Sequence, residues 1–287
     1  MSVTGISNYS TDQIASLSTT DLQSISAAEF SGLVASQLGA LSTKQVGALT
    51  SPQVSALTVN QILDFTAAQF YALATQQVAS ISVTDIAALT AKQLSQITAT
   101  EIGQLSNAQL SALSSAQISL LSTTQMRGFS PEQLAFLTTT QVSGLSATQL
   151  GALTTTTVAT LSTTQLAQLS TEQLRGLSGA AVAALDATQV GALSDAQLGA
   201  LSNTQLAALS STDVGELSLA ELAALSSTQF GALSPKALSG LAETQMAALS
   251  TGEIASRRAA QLGAFKDTQL TALSATQLNA LPSSAIP

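Results

Sequence analysis

Apolar side chains recur along the chain in a pattern that repeats every eight residues. When the positions of this octad are numbered one to eight from Met1, position one is apolar in 35 of 36 units, with Arg257 the exception. Position six is apolar in all 36 units, from Ile6 to Ile286. Because the register runs without insertion, we predict a single continuous repeat domain over residues 1–287.

A period of eight residues matches neither regular secondary structure. In an α-helix, eight residues advance about 80° beyond two full turns, so the apolar stripe would wander around the helix. In a strand, positions one and six have opposite parity and would face opposite sides of a sheet. The period therefore disfavours both one uninterrupted helix and a β structure.

The polar positions supply a start signal for a short helix in each unit. Position two is Ser, Thr or Asp in 30 of 36 units, and position five is Gln or Glu in 28. This spacing is a capping box, with position two as the N-cap and position five as N3; positions one and six are then the pair that a hydrophobic staple joins. Pro131 and Pro235 fall at position three, the first helical residue, where proline is favoured. Each octad is predicted to form a helix over positions three to eight.

Helices of six residues are too short to be stable alone, so they must stack on one another. Position six and the next position one lie three residues apart on the same side and would form a continuous apolar spine. We therefore predict an all-α fold, a right-handed α-solenoid of about 36 octads. The sequence leaves the number of octads per coil open; two per coil would give a rod on the order of 170 Å long.

Composition removes several classes of function. Charged residues make up only 8% of the chain, the net charge is −8, and the basic residues are scattered, so we expect no nucleic-acid partner. Ser, Thr and Gln interrupt every octad, so we expect no membrane span. The chain has no His and no Cys, which excludes catalysis or metal binding by imidazole or thiolate side chains. We expect no enzyme activity, no cofactor and no metal site.

Threonine is frequent at position four, with an unbroken run at Thr140, Thr148, Thr156 and Thr164. If these residues align, their hydroxyl and methyl groups would form a flat ladder that matches an ordered surface such as ice or a polysaccharide. They are the candidate surface-contact residues. The simpler alternative is that threonine is tolerated and solvated at the second helical position.

Two features depart from the repeat. Arg257 and Arg258 replace a spine residue and an N-cap, which predicts a local solvated kink; a protease-sensitive dibasic site or a partner contact is the alternative. Tyr71 and Phe136 lie at positions seven and eight, off the spine. We expect them to fill a groove between coils, with a contact surface as the alternative.

The units Leu-Ser-Thr-Thr-Gln-Leu-Ala-Gln (161–168) and Leu-Ser-Ala-Thr-Gln-Leu-Asn-Ala (273–280) resemble the LSTxQ-type tracts of very large bacterial exported proteins, often labelled adhesin-, haemagglutinin- or haem-utilisation-like. The resemblance implies an extracellular or cell-surface structural repeat that acts as a rod, stalk, filament or surface-layer subunit. The alternative is a solenoid that binds a surface through its Ser/Thr face. Expected partners are other copies, end-to-end or lateral, or a host or cell-surface protein or glycan. No N-terminal signal peptide is visible, so export would use another signal.

Overall fold

The computed structural model describes residues 5–282 of the chain. Within those residues the structure contains 34 short α-helices and one 3₁₀ helix, and no strand, which confirms the all-α prediction. The chain divides into two compact units, Met1–Gly144 and Leu145–Pro287. Each unit is a helical solenoid in its own right.

The helices follow one another at octad spacing. In the first unit they are η1 (Ile6–Asn8), α1 (Thr11–Ser16), α2 (Thr19–Ser24), α3 (Ala27–Phe30), α4 (Ala35–Gly39), α5 (Thr43–Gly47), α6 (Ser51–Ser55), α7 (Val59–Asp64), α8 (Ala67–Tyr71), α9 (Thr75–Ser80), α10 (Val83–Ala88), α11 (Ala91–Leu94), α12 (Ala99–Gln104), α13 (Asn107–Ala112), α14 (Ser115–Ser119), α15 (Thr123–Met126), α16 (Pro131–Phe136) and α17 (Thr139–Ser143). In the second unit they are α18 (Ala147–Ala152), α19 (Thr155–Val158), α20 (Thr163–Ala167), α21 (Thr171–Gly176), α22 (Gly179–Val182), α23 (Ala187–Val190), α24 (Asp195–Gly199), α25 (Asn203–Leu206), α26 (Ser211–Glu216), α27 (Leu219–Ala223), α28 (Ser227–Ala232), α29 (Pro235–Leu238), α30 (Glu243–Ala248), α31 (Thr251–Ala255), α32 (Ala259–Leu262), α33 (Asp267–Thr271) and α34 (Ala275–Asn279).

The octad around α13 shows why each helix starts and stops. Ser106 is extended, with φ −68° and ψ 156°, and its Oγ accepts a hydrogen bond of 3.2 Å from the Gln109 N–H. The Gln109 Oε1 accepts one of 2.7 Å from the Ser106 N–H, which completes the capping box. Leu113 is extended again, with φ −70° and ψ 132°. Two consecutive extended residues, at positions one and two, therefore turn the chain before the next helix begins.

Three octads make one coil. Each helix packs against the helix three places further along the chain, so a coil contains 24 residues. In the first unit α1, α4, α7, α10, α13 and α16 form one such stack, and in the second unit α18, α21, α24, α27, α30 and α33 form another. The three helices of a coil thus occupy three separate stacks, and the number of octads per coil, which the sequence left open, is three and not two. The right-handed winding of the coils stays a prediction.

Positions one and six form the core, as the sequence predicts. Leu110 is fully buried and Leu113 is 2% exposed, and most of their equivalents are buried too, except in the octads near the two ends of the described chain. Position five is buried as well in most octads, which the capping box alone does not require. Gln133, for example, is only 4% exposed.

The buried glutamines connect one coil to the next. The Gln133 Oε1 accepts from the Ser130 N–H at 2.9 Å, while its Nε2 donates to the carbonyls of Ile102 (2.9 Å) and Leu105 (2.8 Å) in the previous coil. One amide therefore satisfies both an orphan donor at a helix start and orphan carbonyls at the helix end below it. The same bridge, to residues 28 and 30 or 31 positions earlier, recurs at Gln45, Gln61, Gln197 and Gln245.

Candidate functional site

The second unit contains a buried guanidinium at the corner between α31 and α32. Arg257 stands at position one, where other octads have a spine residue, and it is 4% exposed. Its Nη1 donates to the Phe230 carbonyl at 2.8 Å, and its Nε donates to the Glu253 carbonyl at 2.6 Å. The guanidinium carbon lies 4.5 Å from the centre of the Phe230 ring, a cation–π contact.

Arg257 is therefore not a solvated kink, and the prediction from the sequence is wrong on this point. Position one faces the interior of the coil, so an arginine there is folded inward and must find acceptors on the helix below it. It reaches α28, where Ser227 and Phe230 supply carbonyls. Burial also removes Arg257 from the reach of a protease, so the dibasic-site alternative loses its main residue.

Burial has a clear electrostatic consequence for Arg257. Desolvation lowers its pKa to about 10, and the charge of Glu253 only partly opposes this. The protein oxygens that accept from its side chain belong to backbone carbonyls and to the Ser256 hydroxyl, all of them neutral. Between the folded pKa near 10 and the higher pKa of an arginine in the unfolded chain, the unfolded chain binds more protons, so this group's contribution to stability rises with pH.

Replacing Arg257 by leucine is expected to stabilise the protein. The substitution restores the spine residue found at position one elsewhere and removes a buried charge without a carboxylate partner, a gain of about 1–2 kcal/mol in the free energy of unfolding. Urea unfolding followed by circular dichroism measures it. Arg127→Leu, at an exposed arginine, is the control and should change stability by less than about 0.5 kcal/mol. An Arg257→Leu protein less stable than wild type would show that the guanidinium contributes more than its burial costs.

Arg258, the next residue, is exposed and lines a surface cleft of about 380 Å³. Its backbone N–H bonds to the Gln261 Oε1, but its side chain caps nothing. The residues around it come from α25, α28 and the corner after α31. We call this depression the Arg258 cleft, and its lining residues are Asn203, Ser227, Thr228, Gly231, Ala232, Ser256 and Arg258. A second depression of about 220 Å³ shares Gly231, Ala232 and Arg258 with the first and includes the start of α29.

Sequence reasoning missed the Arg258 cleft because its residues lie in octads that are far apart in the chain. Asn203 and Ser227 occupy the same position three octads apart, and Ser256 follows Gly231 by 25 residues. The 24-residue coil brings them together. The sequence did contain one indication of where the cleft lies, because Arg257 and Arg258 are its only consecutive basic residues.

The structure places the four predicted threonines on exposed positions but does not align them. Thr148, Thr156 and Thr164 lie on α18, α19 and α20, which belong to three different stacks, and Thr140 belongs to the other unit. Residues on one stack recur every 24 residues, not every eight. An aligned row therefore exists at Thr164, Thr188 and Thr212 on α20, α23 and α26, all exposed.

Tyr71 and Phe136 do not fill a groove between coils. Their exposed fractions are 64% and 61%, so the expectation that they pack between coils is wrong. Where positions seven and eight do lie between coils, as at Gly215 and Gly240, the residues are small. The alternative, that these two side chains belong to a contact surface, stays a prediction.

Two further properties concern sites and membranes. Among residues 5–282, no group of three or more His, Cys, Asp or Glu side chains is arranged to hold a metal ion. In the same part of the chain, no helix has the length and apolarity needed to cross a bilayer.

The stacked, capped octads define a class: the chain is a helical repeat protein of the solenoid type. The family model of the ALTTAQ repeat matches it at residues 14–51, 28–67, 158–195 and 166–203, one overlapping pair in each unit. These segments are similar to that repeat, which supports the repeat tract predicted from the sequence. No curated protein matches the chain.

Proposed function

We propose that the chain is an extracellular structural repeat protein that acts as a spacer, such as the stalk of a bacterial surface protein. The observation that supports this role is the glutamine bridge, which ties each coil to the one before it with hydrogen bonds of 2.6–3.5 Å at many places along both units. Because the bridge uses only the octad's own atoms, coils can be added without a new kind of interface.

A spacer needs coils that do not slip on one another, and satisfied hydrogen bonds between buried polar groups provide this. In the described part of the chain, no buried side-chain nitrogen or oxygen lacks a hydrogen-bond partner. Burying polar groups in satisfied pairs gives each coil a defined register and resists slippage between coils. The expected partners are other copies, in end-to-end or lateral contact, or a surface protein or glycan.

Removal of one whole coil tests the spacer role. Deleting residues 57–80 takes out three octads and leaves every remaining helix in an equivalent stack. We expect the maximum dimension measured by small-angle scattering to fall by about one coil spacing, roughly 9–10 Å, with little change in the circular dichroism per residue. A deletion of four residues, 57–60, is the matched control and should disrupt the fold locally. An unchanged maximum dimension after the 24-residue deletion would contradict a spacer.

Negative-stain electron microscopy at several protein concentrations separates the spacer from a filament subunit. Dispersed particles of one length at every concentration support the spacer. Particles that lengthen with concentration support end-to-end assembly and the filament version of the same structural role. Surface localisation is checked by protease treatment of intact bacterial cells that express the protein, which should degrade it if it is exposed.

A binding module is the second candidate, and the aligned row Thr164, Thr188 and Thr212 favours it. These three hydroxyls lie on neighbouring helices of one stack, where an ordered polysaccharide or ice surface would meet them together. Changing all three to Lys should abolish binding to such a surface. The same change at Thr140, Thr148 and Thr156 adds equal charge without touching the row and should leave binding intact. Equal loss in both triple variants would remove this candidate.

A further inference from the structure

We propose that the Arg258 cleft is a binding site for an oxyanion carried on a small polar molecule, such as the carboxylate of an acidic sugar. This inference does not depend on the spacer role. It starts from two adjacent guanidinium groups, one buried and one exposed, in a chain whose net charge is −8.

The first argument is that the charge of Arg257 is only partly compensated, through the nearby charge of Glu253. Every acceptor that the protein supplies to this guanidinium is a neutral oxygen, so hydrogen bonds satisfy its donors but do not neutralise it. A buried positive charge without a paired carboxylate raises the electrostatic potential of the space beside it, because little water is present to screen it.

The second argument is that this charge lies against the Arg258 cleft. The Arg257 Nη2 donates to the Ser256 Oγ at 2.7 Å and approaches the Ser227 carbonyl at 3.4 Å, and both residues line the cleft. A Cβ placed on Gly231, a third lining residue, would lie 3.6 Å from the same Nη2. Gly231 therefore places no side chain between this part of the guanidinium and the cleft, although Arg257 itself stays buried.

The third argument is the free guanidinium of Arg258 at the edge of the cleft. Position two is Ser, Thr or Asp in 30 of 36 octads because a short side chain caps the following helix. The Arg258 side chain cannot cap α32, and among the described residues it has no protein partner. Arginine presents a planar fork of donors that matches a carboxylate or sulfate group in a bidentate pair.

The remaining lining groups suit a polar molecule rather than an apolar one. Ser227, Thr228 and Ser256 contribute hydroxyls and Asn203 contributes an amide, and no aromatic ring lines the cleft. Its volume of about 380 Å³ lies within the range of small-molecule sites. An acidic monosaccharide supplies the oxyanion for the guanidinium and hydroxyls for these side chains.

The test uses three probes on the full chain: glucuronate, glucose and inorganic sulfate. Glucuronate and glucose differ in the carboxylate, so binding followed by NMR shift changes or calorimetry isolates its effect. We expect a dissociation constant on the order of millimolar for glucuronate, weakened by added NaCl, and at least about tenfold weaker binding of glucose. Sulfate that binds as tightly as glucuronate assigns the site to a free oxyanion; tighter glucuronate binding assigns it to an acidic sugar.

Two variants tie the binding to the cleft without unfolding the protein. Arg258→Ser restores the usual N-cap and Arg257→Leu restores the usual spine residue, so neither is expected to lower the unfolding midpoint. Arg258→Ser should weaken glucuronate binding by at least about tenfold, as expected for loss of a charge-assisted contact. Arg257→Leu should weaken it by a smaller factor, because the buried guanidinium acts through its potential and not by contact. Arg127→Ser removes the same charge elsewhere and should leave binding unchanged. If neither glucuronate nor sulfate binds, or if Arg258→Ser binds glucuronate as tightly as wild type, the proposal is wrong.

Discussion

Gln133→Glu is expected to destabilise the protein by about 3 kcal/mol at neutral pH, because a buried amide that donates becomes a carboxylate that cannot. The capping box survives, since either side chain can accept from the Ser130 N–H. What is lost is the pair of hydrogen bonds from Nε2 to the Ile102 and Leu105 carbonyls of the previous coil. The new negative charge also faces those two carbonyl oxygens.

Gln13→Glu is the matched control for this prediction. Gln13 makes the same capping box, with Oε1 accepting from the Ser10 N–H at 2.8 Å, but it is exposed, and within the described structure its Nε2 meets no carbonyl of another coil. The same substitution there should change stability by less than about 0.5 kcal/mol. Urea unfolding measures both variants. Burial beside two carbonyl oxygens raises the pKa of the new carboxyl group, so the Gln133→Glu loss should shrink as the pH falls towards about 4.3, because the protonated group can donate again. Equal losses at both positions would contradict the bridge.

The reverse substitution, from Glu to Gln at a buried position five, can be made at Glu101. Glu101 is 7% exposed and already accepts from the Thr98 N–H at 2.7 Å, but as a carboxylate it supplies no donor to the coil before it. Glu101→Gln should therefore stabilise the protein by about 1 kcal/mol, the usual net value of a hydrogen bond. A destabilised Glu101→Gln protein would show that position five needs only an acceptor.

Gly240→Ala is expected to destabilise the second unit by about 3 kcal/mol, because overpacking forces the backbones of two coils apart. A Cβ on Gly240 would overlap the main chain of Ser211, the first residue of α26, and no rotamer can relieve a clash with backbone. On the same contact, Gly215 would place a Cβ 2.8 Å from the Gly240 carbonyl oxygen. The α26–α29 contact therefore depends on two glycines that face each other.

Gly252→Ala is the control in the same unit. Gly252 lies within α31, is exposed, and a Cβ there would meet nothing nearer than the Ser250 Oγ at 3.9 Å. Alanine should therefore stabilise the helix by roughly 0.5–1 kcal/mol through its higher propensity. Thermal unfolding of the two variants compares them. A Gly240→Ala protein as stable as Gly252→Ala would show that the coils can separate at little cost.

The helix pattern could be predicted from sequence because each octad contains its own start and stop signals. The N-cap, the N3 partner and the staple act within eight residues, as at Ser106, Gln109 and Leu110. The coil length could not be predicted by the same reasoning, since it depends on contacts between residues 24 or more apart. Two signals for it were present: position five is Gln in 24 octads and Glu in only 4, which indicates a need for an amide donor, and Gly215 and Gly240 recur at a spacing of 25.

The candidate site was only half predictable. The arginine pair stood out because it breaks two positions of the repeat at once, but its direction did not follow from the sequence. A charged residue at position one is normally expected to leave the core. In the structure the carbonyls of α28 accept the Arg257 side chain, and these are visible only once α28 and α31 are known to be stacked neighbours.

A disulfide between two introduced cysteines tests the three-octad coil most directly, because the chain has no cysteine of its own. A Cβ on Gly179 would lie 3.7 Å from the Ala208 Cβ, within the range of about 3.5–4.5 Å that disulfides require. Under mild oxidation, Gly179→Cys with Ala208→Cys should form an intramolecular disulfide. Mass spectrometry would detect it as the loss of two hydrogen atoms, about 2 Da, and a gel would show a shift that a reducing agent reverses. Gly179→Cys with Ala200→Cys, the pair that a two-octad coil would join, should stay reduced. A disulfide in the second pair and none in the first would contradict the coil.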